Sequence, residues 1–331
     1  MVTDKRIRLF VGGENDIELG QHLVRTGRYT VTDSRARDAI QKLLGGLKLY
    51  DVALIPNWMR SVVVEAVRLK VPTIEVLRRG ADIEGSLYAL SGGRPIASKL
   101  VCVEKGQFDL VSARFPGKAV FIENAVLGPK EIARSNRTVD QIKKSVGVGP
   151  GVKLLFSLCR PHESKRLERL VSLAAELCER GWRGRFKIVV AGHRPERTLE
   201  VFLKHAFSED VEERKVVGAI ELVDRQPAGD LLSVADIYVQ TSGYESFGKS
   251  MLEAFKFGVP SVVTPVGVLA GSPLALEWNV LDYADRIVEY MEDHRLAMEH
   301  GRRVQAWSAG RFDTATMVKA YDTLIRSVLR R

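Results

Sequence analysis

The chain is short of the residues that build disulfide frameworks and metal sites. It has three cysteines, Cys102, Cys159 and Cys178, an odd number with no close spacing, which excludes a disulfide scaffold and leaves them as core filler. The six histidines, at positions 22, 162, 193, 205, 294 and 300, lack zinc-ligand spacing, and no D-x-D carboxylate pair occurs, so no metal is expected. Asn and Gln total only twelve, a depletion of thermolabile amides of the kind thermophilic proteins show. No run reaches the roughly 18 apolar residues of a membrane span, and the charged amino terminus carries no apolar leader. We therefore expect a soluble, cytoplasmic chain.

What is present is an ordinary globular balance with a basic excess. The 331 residues suffice for about two domains, and 45% of them are hydrophobic. Fifty Lys and Arg against 41 Asp and Glu give a net charge of +9. No solenoid-period repeat or low-complexity tract interrupts the pattern.

Short apolar runs alternate with helical periodicity twice over. The first set is Ile7 to Val11, Tyr29 to Thr32, Val52 to Ile55, Thr73 to Val76, Leu100 to Val103 and Ala119 to Ile122. After a polar stretch from Gly128-Pro129 to Pro150-Gly151, a second set runs from Val152 through Phe186 to Val190, Ala219 to Val223, Ile237 to Val239 and Ser261 to Thr264. Such βαβ alternation predicts an α/β chain of two Rossmann-like, doubly wound parallel sheets. Ligands of such sheets bind beyond the strand carboxyl ends, so the expected site is a cleft that the two domains face.

Residues 243–253, Gly-Tyr-Glu-Ser-Phe-Gly-Lys-Ser-Met-Leu-Glu, fit two phosphate-site templates. The first is the P-loop, G-x-x-x-x-G-K-[ST], matched by Gly243, Gly248, Lys249 and Ser250. That template needs a following strand ending in Asp for Mg²⁺, whereas the next strand here ends in Pro265 and about 80 residues remain. Glu245 would also repel a phosphate cradled by that loop. The second template is a pair of carboxylates, Glu245 and Glu253, across a strand-to-helix turn. With a helix starting near Gly248 they stand roughly 10 Å apart, the span of a nucleotide sugar. A diphosphate on the amides of Phe247 to Ser250 would leave Glu245 facing sugar hydroxyls and Glu253 facing the ribose. Read alone, the same two glutamates serve equally as a cap and a solvated helix residue.

A longer string resembles a known family. Ala235-Asp236-Ile237-Tyr238-Val239, Glu245-Ser246-Phe247-Gly248, Leu252-Glu253-Ala254 and Gly258-Val259-Pro260-Ser261-Val262-Val263 are similar to the donor-site signature of glycosyltransferase family 4, the retaining GT-B enzymes. Upstream, Arg160 and Lys165 follow the strand Leu154 to Ser157 and precede a helix with Leu167, Leu170, Val171, Ala174 and Leu177 on one face. They resemble the family's Arg and Lys that hold the donor diphosphate. Gly12-Gly13 and Ile122-Glu123-Asn124-Ala125-Val126 echo the family's first domain. Two departures stand out: Arg79-Gly80 replaces the family's His-Gly, and the segment from Val266 to Pro273 lacks its glycine pair and Pro-Glu.

The resemblance implies a GT-B fold with domains at 1–135 and 136–312 and a carboxyl-terminal helix, 313–331, crossing back to the first. It implies a retaining, metal-independent transferase that uses a nucleoside-diphosphate sugar as donor substrate and no cofactor. Arg160, Lys165, Glu245 and Arg79 would be catalytic, while Gly13, Ser246, Phe247, Gly248, Lys249, Ser250 and Glu253 would help bind the donor. The acceptor is not specified. Arg68, Lys70, Arg78 and Arg79 could join Arg326, Arg330 and Arg331 in a basic face for anionic membrane lipid at the inner surface or, less readily, for nucleic acid. Three alternatives share these features: a GT-B epimerase or phosphorylase, a silent nucleotide-sugar or nucleic-acid binding protein, and a P-loop ATPase.

Overall fold

The computed structural model describes residues 6–12, 14–34, 49–77, 96–130, 132, 134–160, 162–192, 218–223 and 227–330. They form two compact units, one of residues 1–125 with 312–331 and one of residues 126–311.

The first unit carries a six-stranded parallel sheet in the order β2-β1-β3-β4-β5-β6. Its strands are β1 (Ile7–Gly12), β2 (Tyr29–Ser34), β3 (Val52–Pro56), β4 (Thr73–Leu77), β5 (Lys99–Cys102) and β6 (Ala119–Phe121). Every residue of β3 and β4 is buried, as expected of central strands covered on both faces. Alternation sorts the side chains. Leu9, Val11, Leu54 and Val76 face one core, while Phe10, Ala53 and Ile55 face the other, where Val62, Val63 and Ala66 of helix α2 (Arg60–Arg68) cover them. This unit also holds α1 (Glu14–Arg25) and α3 (Lys105–Arg114). Glu75 of β4 is fully buried, and Arg60 at the head of α2 reaches its Oε1 at 2.5 Å. Burial pushes the Glu75 carboxyl up, and the guanidinium works against that rise.

The second unit holds a five-stranded parallel sheet, ordered β11-β10-β7-β8-β9. Its strands are β7 (Lys153–Leu158), β8 (Phe186–Ala191), β9 (Ile220–Val223), β10 (Ile237–Gln240) and β11 (Ser261–Val263). Among its described residues the α-helices are α4 (Val139–Ser145), α5 (Glu168–Leu177), α6 (Ala228–Val234), α7 (Lys249–Lys256), α8 (Val280–Glu292) and α9 (His294–Ser308). Leu155, Ile188, Ile237 and Val239 pack against Leu170, Leu173 and Leu177 of α5 and against Tyr283 and Ile287 of α8.

Two features differ from the sequence reading. The polar stretch before β7 contains α4, started by a capping box in which Thr138 and Gln141 satisfy each other's backbone amides. The unit boundary falls after Ala125 rather than near residue 135, because polar contacts bind the intervening residues to the second unit. Lys256 Nζ donates to the Val126 carbonyl at 2.6 Å, and Ser135 donates to Asp230 through its amide (2.7 Å) and its hydroxyl (2.6 Å).

The last helix, α10 (Thr314–Leu329), belongs to the first unit. Tyr321, Leu324, Ile325 and Val328 lie in the same core as Leu9 and Val76. Its Asp322 accepts from the Tyr29 hydroxyl at 2.5 Å and pairs with Arg28 at 3.1 Å and Arg326 at 2.6 Å.

Asp313 caps α10, accepting the Thr316 amide at 2.8 Å, and the hydrogen bonds from Thr316 hold its carboxyl below the usual aspartate range. A carboxyl lowered by folding stabilises fully above its unfolded value and stops doing so as pH falls through its folded value. Asp313→Ala should therefore cost about 1 kcal/mol at neutral pH. In thermal melts the gap between wild type and variant should close as pH falls below the aspartate range.

Candidate functional site

In the five-stranded sheet the chain passes from β7 to β8 and β9 on one side, then returns to β10 and β11 on the other. The loops leaving β7 and β10 therefore diverge, which makes their carboxyl ends the topological switch point where ligands of such sheets bind. Arg160 and Lys165 lie on the first loop and Glu245 on the second.

The two loops are laced together through the main chain. The Ser164 carbonyl accepts the Gly243 amide at 2.8 Å, and the Thr241 hydroxyl donates to the carbonyls of Lys165 (3.3 Å) and Arg166 (3.2 Å). Arg169 reaches across from α5 to the Thr241 carbonyl at 3.0 Å. His162 caps the short turn at Glu163–Lys165, and Arg166 takes the left-handed conformation at φ 51°, which turns the chain into α5.

This lacing brings Lys165 Nζ to 2.5 Å from Glu245 Oε1, with side chains only 19% and 13% exposed. The same oxygen accepts from Ser242 Oγ at 2.9 Å and from Gln240 Nε2 at 3.1 Å. Glu245 Oε1 thus accepts from three donors, one of them the Lys165 ammonium. Neither Gln240 nor Ser242 stands out in the sequence. The one available signal is that Gln240 ends the otherwise apolar strand Ile237-Tyr238-Val239 with an amide.

The remaining sequence-predicted residues distribute around this pair. Gly248, at φ 92°, is the N-cap of α7 and offers no side-chain cap, so the first amides of the helix are available to an anion. Phe247 is buried, Lys249 is exposed, and Glu253 sits half-buried on the second turn of α7. Ser250 is engaged from behind, its hydroxyl 3.1 Å from that of Tyr238. Arg160 is exposed on the β7 loop. Gly13 and Arg79 lie outside the described residues. The cation that closes on this loop is Lys165 rather than Lys249, which is opposite to what the P-loop template requires. Burial pushes the neighbouring Cys159 thiol up to about 11, so it stays protonated and is no nucleophile at neutral pH. Among the described residues, no group of three or more His, Cys, Asp or Glu is arranged to hold a metal ion.

Residues 138–272, which contain both loops, match the model of the family described as glycosyl transferases group 1. That segment belongs to the family. D-inositol 3-phosphate glycosyltransferase 2 of Catenulispora acidiphila is 32% identical over 261 residues, covering 74% of this chain and 58% of that protein. N-acetyl-alpha-D-glucosaminyl L-malate synthase of Bacillus anthracis is 26% identical over 205 residues, 59% of this chain and 50% of that protein. The chain thus spans little more than half the length of these curated relatives. Among solved structures, HepE of Anabaena in complex with UDP-glucose matches with a TM-score of 0.74 at 13% identity, over 96% of this chain and 99% of that one. Sucrose-phosphate synthase from Thermosynechococcus elongatus matches with a TM-score of 0.74 at 13% identity, over 98% and 100%. These likenesses carry the fold, which is GT-B with two Rossmann-like units.

One glycine supports the loop that follows β10 from below. Gly267 has φ 60°, and a Cβ there would stand 2.6 Å from the Phe247 carbonyl oxygen, which accepts the Val268 amide. Gly267→Ala should combine left-handed strain with that clash and cost about 1–3 kcal/mol, read as a lower midpoint in urea.

Proposed function

We propose that the chain transfers a sugar from a nucleoside-diphosphate donor to an acceptor hydroxyl with retention at the anomeric carbon. The observation that carries this reading is the meeting of Lys165 and Glu245 at 2.5 Å on the switch point of the second sheet, beside the uncapped start of α7.

The parts have complementary tasks. The diphosphate is doubly anionic and gains charge as it leaves, so Arg160, Lys165 and the first amides of α7 are suited to receive it. Lys165 has three N–H donors and spends one on Glu245, leaving others for a phosphate oxygen. Glu245, ionised, accepts from a hydroxyl of the transferred sugar, and Glu253 accepts from the ribose diol. As the bond from the anomeric carbon to the phosphate oxygen breaks, the acceptor oxygen bonds to that carbon on the same face. The acceptor's proton passes to the departing phosphate oxygen. No protein nucleophile and no metal enters this route, and the rate comes from positioning and charge stabilisation.

HepE was solved with UDP-glucose, so UDP-glucose and UDP head the donor panel. The curated relatives are named for L-malate and D-inositol 3-phosphate, so small anionic acceptors come first on the acceptor side. Two cations of the expected basic face are engaged within the first unit, Arg68 by Glu65 and Arg326 by Asp322, which Arg326 shares with Arg28. The unpaired thiols suit a reducing cytoplasm.

A thermal-shift panel of nucleoside diphosphates and their sugars tests the donor reading, since a ligand at 100 times its Kd stabilises by roughly 2.7 kcal/mol. Absence of any shift defeats it, and binding without turnover identifies a silent binding protein. Arg160→Ala and Lys165→Ala should each lower kcat/KM by about 10². Glu253→Gln should weaken donor binding, Lys249→Ala should do less, and EDTA should leave the rate unchanged.

A further inference from the structure

Strand β10 ends in a buried amide. Gln240 is 4% exposed, at the last position of a strand whose other three residues are apolar and buried. Its main-chain carbonyl is fully used, accepting the Thr264 amide at 3.3 Å and the Tyr283 hydroxyl at 3.2 Å. Its side-chain Nε2 donates to Glu245 Oε1 at 3.1 Å, and its side-chain Oε1 is buried without any partner. The direction of the amide is set by chemistry: an ionised carboxylate only accepts, so the NH₂ end must face Glu245.

A buried acceptor left unmet is a standing cost to the fold. Leucine would fill the same volume without it, so packing does not account for an amide here. The Nε2 contact does. Lys165, Ser242 and Gln240 all donate to the same oxygen of Glu245, while Glu245 Oε2 accepts from none of the described residues.

We infer that Gln240 is a positioning residue of the donor-sugar subsite: with Lys165 and Ser242 it pins Glu245 Oε1, leaving Oε2 as the single carboxylate oxygen presented to a sugar hydroxyl. The inference rests on the donor reading above. It assigns Gln240 no contact with the sugar. Its effect passes through Glu245, so it should be felt by the sugar part of the donor and not by the nucleoside diphosphate.

Two variants test this against the donor sugar that wild type binds in the panel, with UDP as the probe of the nucleotide half. Gln240→Leu should bind UDP within about twofold of wild type while kcat/KM for the sugar nucleotide falls at least about tenfold, the scale of one lost positioning contact. Gln240→Glu supplies a readout that packing would not move. When protonated, the new carboxyl can donate to Glu245; when ionised, it repels it, so this variant should lose activity as pH rises from about 5 to about 8 while wild type does not show that loss. Wild-type transfer by Gln240→Leu, a wild-type pH profile in Gln240→Glu, or loss of UDP binding in either variant would overturn the assignment. Failure of wild type itself to bind any sugar nucleotide would instead overturn the donor reading, and this inference with it.

Discussion

The site depends on a main-chain junction between loops from different strands, where the Ser164 carbonyl accepts the amides of Gly243 at 2.8 Å and Tyr244 at 3.4 Å. It fixes the distance between two backbones, and the side chains then have little choice. Lys165 and Glu245, both mostly withdrawn from water, must pair, because an isolated charge at such exposure would be strongly disfavoured. The pair sets a cationic and an anionic side chain a few ångströms apart at the carboxyl ends of the strands. The glycines serve the same geometry. Gly248 turns the chain into α7 at a positive φ, and Gly267 lets a neighbouring turn approach the Phe247 carbonyl more closely than a Cβ allows.

The strands were legible because central strands of parallel sheets are apolar on both faces, and uninterrupted runs such as Val52 to Ile55 and Ile237 to Val239 have few other uses. Helix α4 was overlooked amid polar residues, although Thr138 and Gln141 carry a capping signature three residues apart. The unit boundary was displaced for a different reason. Residues 126–135 have no periodicity, and their attachment through Lys256 and Asp230 is made by partners distant in sequence. Lys165 and Glu245, which the structure brings together, were legible through the family resemblance. Gln240 was not, because its hydrogen bond to Glu245 spans five residues of strand and loop, a separation with no recurring geometry.

The carboxyl-terminal helix carries a consequence for how the protein is made. Residues 312–331 complete the unit begun by residues 1–125, so the second unit is inserted within the first. A ribosome delivers the first sheet early, yet the face bearing Leu9, Val11, Leu54 and Val76, to which α1 contributes Leu19 and Leu23, receives Tyr321, Leu324 and Ile325 only after the second unit has been made. Until then, that apolar face lacks part of its cover. Asp322, engaged by Tyr29, Arg28 and Arg326, then works as a latch that selects the correct register for the late arrival. Nascent chains stalled just short of residue 312 are thus the species most exposed to chaperone capture and to misassociation during translation.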